Sequence, residues 1–346
     1  MRSDENIQVS VIIPSHAGGE DFVRCLNSVR QAGPGETLVV VDGGDDTCLE
    51  EAREAGAKAF SVEPARGPGM ARNFGARHAE GDVLMFVDSD IVIPPDAVEQ
   101  VRAEFRKDPE LTALFGSYDV DAGAQNFLSR YKNLSHHYYH QQSPESASSF
   151  WAGCGAIRRD DFRKVGGFSP DYERPSIEDI ELGYRLKASG ARIKLVKSLQ
   201  VKHLKTWRVG ALLRTELFDR AIPWTRLILK HFPRSGGPNL GHGSKLSVTA
   251  VYGLVGSLCA SAFWAQLGWV AALCALTLLI LNWPLYALFG RHEGLAFAAA
   301  GVAWNWLYYL YGGVGFALGT VRHLLRGKEN ATEPLREEKE ERSQEA

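Results

Sequence analysis

Val83-Leu84-Met85-Phe86-Val87, followed at once by Asp88-Ser89-Asp90, is a short apolar run that ends in two carboxylates. Five consecutive apolar residues read as a buried strand. A strand turns residues i and i+2 to the same face, so Asp88 and Asp90 converge on one small volume at its end. Hard oxygen donors of this kind suit Mg²⁺ or Mn²⁺, ions usually held by one or two carboxylates together with the phosphates of a substrate. The plainer reading is a solvated turn or a helix N-cap, because Pro94-Pro95-Asp96 looks like the start of the next helix.

Outward from this stretch, strand and helix patterns alternate. Strands are predicted at Val9 to Ile13, Thr37 to Val41 and Ala59 to Val62, and helices at Glu20 to Gln31 and Cys48 to Ala55. Such alternation predicts an α/β fold with a mainly parallel sheet and helices on its faces. Ligands of open parallel sheets gather beyond the carboxyl ends of the strands. Three polar clusters fall at such ends: Pro14-Ser15-His16, Asp42-Gly43-Gly44-Asp45-Asp46, and Asp88-Ser89-Asp90.

Several further groups could serve that crevice. Asp42 precedes two glycines and could accept hydrogen bonds from a ribose or base, or could simply open a turn. Arg66-Gly67-Pro68-Gly69-Met70-Ala71-Arg72-Asn73 places loop amides, a helix start and two guanidinium groups where phosphate oxygens would fit, without the Gly-Lys-Ser/Thr ending of a Walker A loop. Glu178, Asp179 and Glu181 open a helical pattern; they complement its dipole, and one of them could act as a general base. His203 could add an imidazole to a metal site or be an ordinary packed histidine. Glycines at 153, 155, 166 and 167 permit close backbone approach, either to a ligand or within a loop.

Composition bounds the rest. The chain has 346 residues and a formal net charge of −2, which argues against broad attraction to nucleic acid. Cys25, Cys48, Cys154, Cys259 and Cys274 show no C-x-x-C spacing and read as reduced and structural. No Lys, Arg, Asp or Glu lies between Lys245 and Arg291, or between Glu293 and Arg322. At roughly 20 residues per crossing, two or three membrane helices are predicted over 241–326. Residues 205–240, with Trp207 and Trp224 among many basic residues, read as helices on the membrane surface, and 327–346 as a disordered charged tail. Met1 to Asn6 are polar and run straight into a strand, so the catalytic part, 1–204, is expected on the cytoplasmic side of a multi-pass membrane protein.

Taken together, Val9-Ser10-Val11-Ile12-Ile13-Pro14, Val40-Val41-Asp42-Gly43, Ala71-Arg72-Asn73 with Gly75, Phe86-Val87-Asp88-Ser89-Asp90, Gly166-Gly167-Phe168 and Glu178-Asp179-Ile180-Glu181-Leu182 resemble family 2 glycosyltransferases of the GT-A fold over residues 7 to 225. The resemblance implies an inverting transfer of sugar from a nucleotide-sugar donor, with Mg²⁺ or Mn²⁺ bridging the diphosphate and UDP-sugars the first donors to try. It implies donor contacts at Pro14, Asp42, Arg72, Asp88 and Asp90. It also implies metal ligands at Asp88, Asp90 and His203, and catalytic acids at Glu178 and Asp179, with Asp179 the base. Trp151, Gly153 and Trp224 fall on the acceptor side. Processive relatives carry Gln-x-x-Arg-Trp, whereas this chain reads Arg220-Ala221-Ile222-Pro223-Trp224, which favours a single transfer. The surface helices beside the apolar segments point to a lipid-linked or glycolipid acceptor. The competing readings are a nucleotidyltransferase acting on a sugar phosphate, and a silent membrane-anchored scaffold that binds nucleotide sugars.

Overall fold

The computed structural model describes the backbone of residues 7–44, 46–231 and 242–344, and side chains over the same ranges except 231, 242 and 326–344. The elements are β1 (Val9–Ser15), α1 (Glu20–Ala32), β2 (Glu36–Asp42), α2 (Asp46–Glu54), β3 (Lys58–Val62), α3 (Pro68–His78), β4 (Val83–Val87), β5 (Ile91–Val92), α4 (Ala97–Lys107) and β6 (Leu111–Tyr118). There follow α5 (Phe127–Gln142), β7 (Cys154–Arg158), α6 (Arg159–Lys164), α7 (Glu178–Ala188), β8 (Arg192–His203), α8 (Val209–Arg214), the π-helical turn Thr215–Ala221, α9 (Ile222–His231), α10 (His242–Ser261), α11 (Leu267–Glu293) and α12 (Leu295–Gln344).

The chain divides into two compact units, Met1–Val209 with Asn282–Val302, and Gly210–Leu281 with Ala303–Ala346. The first holds one eight-stranded sheet in the order β3-β2-β1-β4-β7-β6-β8-β5. The pairs β3·β2, β2·β1, β1·β4 and β6·β8 are parallel, while β7 and β5 run against their neighbours, so the sheet is mainly parallel as the alternation predicts. From β1 the chain winds to β2 on one side and later to β4 on the other. The crevice at such a reversal, beyond the carboxyl ends, is where doubly wound sheets bind ligands.

β4 is apolar throughout, β2 is apolar over Leu38 to Val41, and β1 is interrupted before its end only by the buried Ser10, because helices cover both sheet faces. Along β4, Val83, Met85 and Val87 enter one core with Phe22, Val29 and Phe105, whereas Leu84 and Phe86 enter the other with Phe162, Phe168 and Leu182. That alternation fixes the side on which Asp88 leaves the strand: the face of Leu84 and Phe86, against α3 and α7. On the same face α3 lies unusually close to the sheet. A Cβ on Gly75 would sit 2.6 Å from Ile12 Cγ2 and 3.3 Å from Val40 Cγ2. Gly75→Ala is therefore expected to destabilise the protein by about 1–3 kcal/mol through overpacking; a thermal unfolding midpoint equal to that of the wild type would contradict this close approach.

The segment around Gly153 and Gly155 departs from the sequence reading. It contributes strand β7 between β4 and β6, and the space beside Gly155 is taken by the Phe150 ring and the Trp151 carbonyl, at 2.4 Å from a Cβ placed there. These glycines admit the protein's own aromatic residues. Helix α5 docks the turn between α11 and α12, where Arg130 Nη1 donates to Glu293 Oε2 at 2.5 Å and Phe127 and Tyr131 meet Phe297 and Phe289.

In the second unit, Ala250, Val251 and Leu254 of α10 pack with Ala271 and Leu278 of α11 and Tyr309 of α12. Among the described residues one helix, Leu267–Glu293, is long and apolar enough to cross a membrane. The expectation of two or three such helices is corrected to one. Absence of charge is not the same as apolarity: α10 carries Ser247, Thr249, Ser257 and Ser261, and α12 carries Asn305 and five glycines before Arg322, residues that gain little from leaving water. Of the predicted surface segment 205–240, residues 209–231 are helical and 232–241 lie outside the described residues. Residues 327–344, expected as a disordered charged tail, are helical as part of α12, with their side chains outside the described residues.

Candidate active site

Asp88 sits where β4 ends, and its backbone N–H donates to the Gly153 carbonyl at 3.1 Å. Arg72, on the first turns of α3, reaches the same place. Its guanidinium is 4 % exposed, donates to Asp88 Oδ1 at 2.5 Å and to Glu178 Oε1 at 3.0 Å, and lies 5.3 Å over the Phe168 ring. Burial works against its charge, but Asp88 and then Glu178 outweigh that and raise its pKa. Glu178 is 6 % exposed, and its second oxygen accepts from the Ser176 N–H at 2.9 Å. Both Glu178 oxygens are thus occupied within the protein.

Asp179, the next residue, is differently placed. Its Oδ2 accepts the Ala152 N–H at 3.1 Å and its Oδ1 the Ile180 N–H at 2.7 Å. No cation pairs with it among the hydrogen bonds and ion pairs of the described residues. Burial first, and the neighbouring Glu178 charge second, push its carboxyl up to about 7, against the Ala152 N–H and Arg72. A carboxyl that titrates there can take up a proton near neutral pH, which is what a general base needs. Because Asp179 holds Ala152 and Asp88 holds Gly153, Asp179 and the strand-end carboxylate are fixed to adjacent residues of one segment.

Asp90 lies on the turn after Asp88. Its carbonyl accepts from Leu204 N–H at 2.8 Å, and its Oδ2 is 3.5 Å from His203 Nε2. Against the upward push of burial, His203 and then Lys205 hold the Asp90 carboxyl below its usual range. β5 aligns this pair, since Ile91 is registered with His203 on β8. Tyr118, at the end of β6, contacts the rings of both His203 and Trp151, at 5.2 and 4.6 Å. An aromatic wall therefore runs from the expected acceptor side to the Asp90–His203 pair.

The donor-side residues are sorted by these contacts. Asp42, expected to hold a nucleoside, accepts the N–H groups of Arg66 and Gly67 at 2.8 Å each and so pins that loop to the end of β2. Gly67 has φ +88°, and a Cβ there would lie 2.6 Å from the Glu173 carbonyl carbon, so only glycine fits. Pro14 is buried in β1 beside Val40. Asn73 exchanges hydrogen bonds with both the N–H and the C=O of Phe168, which explains why the Ala-Arg-Asn and Gly-Gly-Phe stretches occur together. Trp224 is on α9 of the second unit, whereas the other candidate residues are in the first.

For the expected metal ligands, Asp90 and His203 approach each other and Asp88 turns one oxygen to Arg72. Among the described residues no three His, Cys, Asp or Glu side chains converge closely enough to form a metal centre by themselves. The donor set brought together is one carboxylate and one imidazole, Asp90 and His203. That suits a divalent cation completed by phosphate oxygens better than a closed protein cage. Two features were missed in the sequence: Tyr118, and Asp119 beyond it, whose carboxyl burial pushes up to about 6. Neither stands in a motif, and the position of β6 beside β8 brings Tyr118 to the site.

Residues 10–166 match the family described as glycosyl transferase family 2, and residues 132–208 the one described as N-terminal domain of galactosyltransferase. The first of these matches, a little under half of the chain, makes it similar to family 2 glycosyltransferases over its sheet-forming part. A pre-mycofactocin glycosyltransferase of Mycobacterium tuberculosis is 27 % identical over 205 residues, covering 56 % of this chain and 42 % of the relative. A validoxylamine A glucosyltransferase of Streptomyces hygroscopicus is 27 % identical over 218 residues, covering 53 % of this chain and 48 % of the relative. The chain thus spans less than half the length of these relatives. A solved mannosyltransferase of Pyrobaculum calidifontis, in complex with GDP-Man and Mn²⁺, superposes with a TM-score of 0.55 at 16 % identity, over 90 % of this chain and 87 % of that one. This likeness establishes a GT-A type of fold, in line with the sheet order.

Proposed function

We propose that this chain is a family 2 glycosyltransferase that moves a sugar from a nucleoside diphosphate sugar to an acceptor hydroxyl or phosphate, with inversion, and that Asp179 is its base. The observation that carries this reading is the fixing of Asp179 and Asp88 to the adjacent residues Ala152 and Gly153, with Arg72 and Glu178 between them. For a hydroxyl acceptor, Asp179 takes the proton as the oxygen attacks the anomeric carbon. The bond from that carbon to the phosphate oxygen breaks, and the nucleoside diphosphate leaves with its electron pair. A single displacement of this kind inverts the sugar.

Asp90, His203 and the outer oxygen of Asp88 are the residues that would hold a divalent cation. When bound, it neutralises charge growing on the departing diphosphate. That the solved archaeal neighbour carries GDP-Man with Mn²⁺, and a GalNAc-T7 structure UDP, GalNAc and Mn²⁺, supports both the donor class and the metal. Neither base is favoured by the contacts of Asp42, so UDP- and GDP-sugars belong in the same assay.

The acceptor reading rests on α11. Trp269 near one end is 81 % exposed and Trp283 is 65 % exposed, with Leu273 and Ile280 also exposed between them. A surface of this composition on a helix long enough to cross suits lipid, with aromatic residues toward the interfaces. A catalytic unit tethered to a bilayer on its cytoplasmic face would meet lipid-linked acceptors there. The test is transfer of labelled sugar from a panel of UDP- and GDP-sugars into lipid extract, with Mn²⁺ or with a chelator. Label in the lipid fraction that chelation abolishes and Mn²⁺ restores is the predicted result. Transfer insensitive to chelator, or transfer confined to soluble acceptors, would contradict the metal or the lipid part respectively.

A further inference from the structure

We propose that Lys205 is a further catalytic residue of this chain, one that contacts the diphosphate of the donor from the side opposite Asp88. This rests on the transferase reading above and adds to it a residue that no motif marks. The segment after β8 is pinned on both sides of Lys205. The Leu204 N–H donates to the Asp90 carbonyl at 2.8 Å, and the Gly123 N–H to the His203 carbonyl at 3.0 Å. Beyond it, the Trp207 N–H donates to Ser129 Oγ at 2.8 Å and the Trp207 carbonyl accepts from Asn126 Nδ2 at 3.1 Å.

Between those anchors only Lys205 and Thr206 are exposed, while Leu204 and Trp207 are buried. The Lys205 ammonium lies 4.7 Å from the centroid of the Trp207 ring, so its long side chain is held against a fixed surface. Its charge lies within electrostatic reach of the Asp90 carboxylate. Ile91 is registered with His203, and the Leu204 N–H to Asp90 carbonyl bond extends that pairing, so Lys205 directly follows a residue fixed to Asp90. A lysine is a point charge suited to phosphate. Here it is preorganised, exposed, and beside the residues that would hold the cation.

A lysine that merely neutralises the acids would behave differently from one that binds phosphate, and the two are separated by sign. Lys205 repels a divalent cation at Asp90 but attracts the diphosphate. The experiment uses full-length wild type, Lys205→Ala and Lys205→Arg. It measures Mn²⁺ alone, by the paramagnetic resonance of the free ion, and UDP and GDP at saturating Mn²⁺, by calorimetry. Lys205→Ala is expected to bind Mn²⁺ alone as tightly as the wild type or tighter, and the preferred nucleoside diphosphate on the order of tenfold more weakly, with Lys205→Arg close to the wild type. Nucleoside diphosphate affinities within twofold of each other in Lys205→Ala and wild type would overturn the proposal while leaving the transferase reading intact. So would weaker Mn²⁺ binding in Lys205→Ala, because that marks a purely structural role at Asp90. A wild type that binds neither diphosphate in the presence of Mn²⁺ would overturn the transferase reading, and this proposal with it.

Discussion

Asp179→Asn is expected to lower kcat for sugar transfer by about 10²- to 10⁴-fold, the usual loss on removing a general base, with nucleoside diphosphate affinity nearly unchanged. Asparagine keeps the shape but accepts only one of the Ala152 and Ile180 N–H bonds, because an amide nitrogen replaces the other oxygen, so unchanged nucleoside diphosphate affinity is what shows that the loss reports the missing proton acceptor. The pH profile supplies the second half of the test. A base works when deprotonated, and burial with the Glu178 charge raises Asp179 to about 7. Wild-type kcat should therefore fall as pH drops through about 7, and be on a plateau above it. Glu178→Gln removes one of the causes of that elevation, so its acid limb should move to lower pH. An Asp179→Asn enzyme with wild-type turnover, or a Glu178→Gln limb displaced upward, would remove Asp179 from the role of base.

The largest expected effect on stability is at Arg72. Arg72→Leu strands Glu178, at 6 % exposure, without its cation and leaves Asp88 with one partner fewer. Removing one member of a buried pair typically costs about 3–5 kcal/mol, because the remaining charge stays out of water. Denaturant unfolding should show a loss of that size, and the double variant Arg72→Leu/Glu178→Leu should recover part of it. Lysine is not a substitute, since a single ammonium cannot fork between two carboxylates on opposite sides. If Arg72→Leu unfolds within 1 kcal/mol of the wild type, the guanidinium is no keystone and its contacts to Asp88 and Glu178 are incidental.

The same residues show where a linear reading succeeds and where it stops. β1, β2 and β4 are legible because strands covered on both faces become nearly unbroken apolar runs, and each ends in a polar residue that marks the crevice. β7 is not, because Cys154-Gly-Ala-Ile-Arg158 has little strand character of its own and is held by β4 and β6 on either side. β6 and α5 went unread, and with them Tyr118, whose contact with His203 arises only from sheet order. At the site, spacing brought out the acids as candidates but could not tell them apart. Glu178 and Asp179 look equivalent in sequence; one is consumed by Arg72 and Ser176, and the other faces no cation. Arg72 read as a phosphate ligand because guanidinium groups often are, whereas its burial between two carboxylates makes it an internal strut. The apolar C-terminal stretches misled in a related way, since freedom from charge over α10 concealed its hydroxyl and glycine content.

The central claim is that Asp90 with His203 marks the seat of a cation, and that Asp179 faces the same sugar from the other side. Crystals grown with Mn²⁺ and a non-hydrolysable nucleoside diphosphate sugar, with data collected at the manganese edge, test it directly. The account predicts one anomalous peak within coordination distance of Asp90 and His203, with the anomeric carbon between the diphosphate and the Asp179 carboxylate. A manganese peak bound away from those two residues, or a sugar whose anomeric carbon turns its back on Asp179, would contradict it.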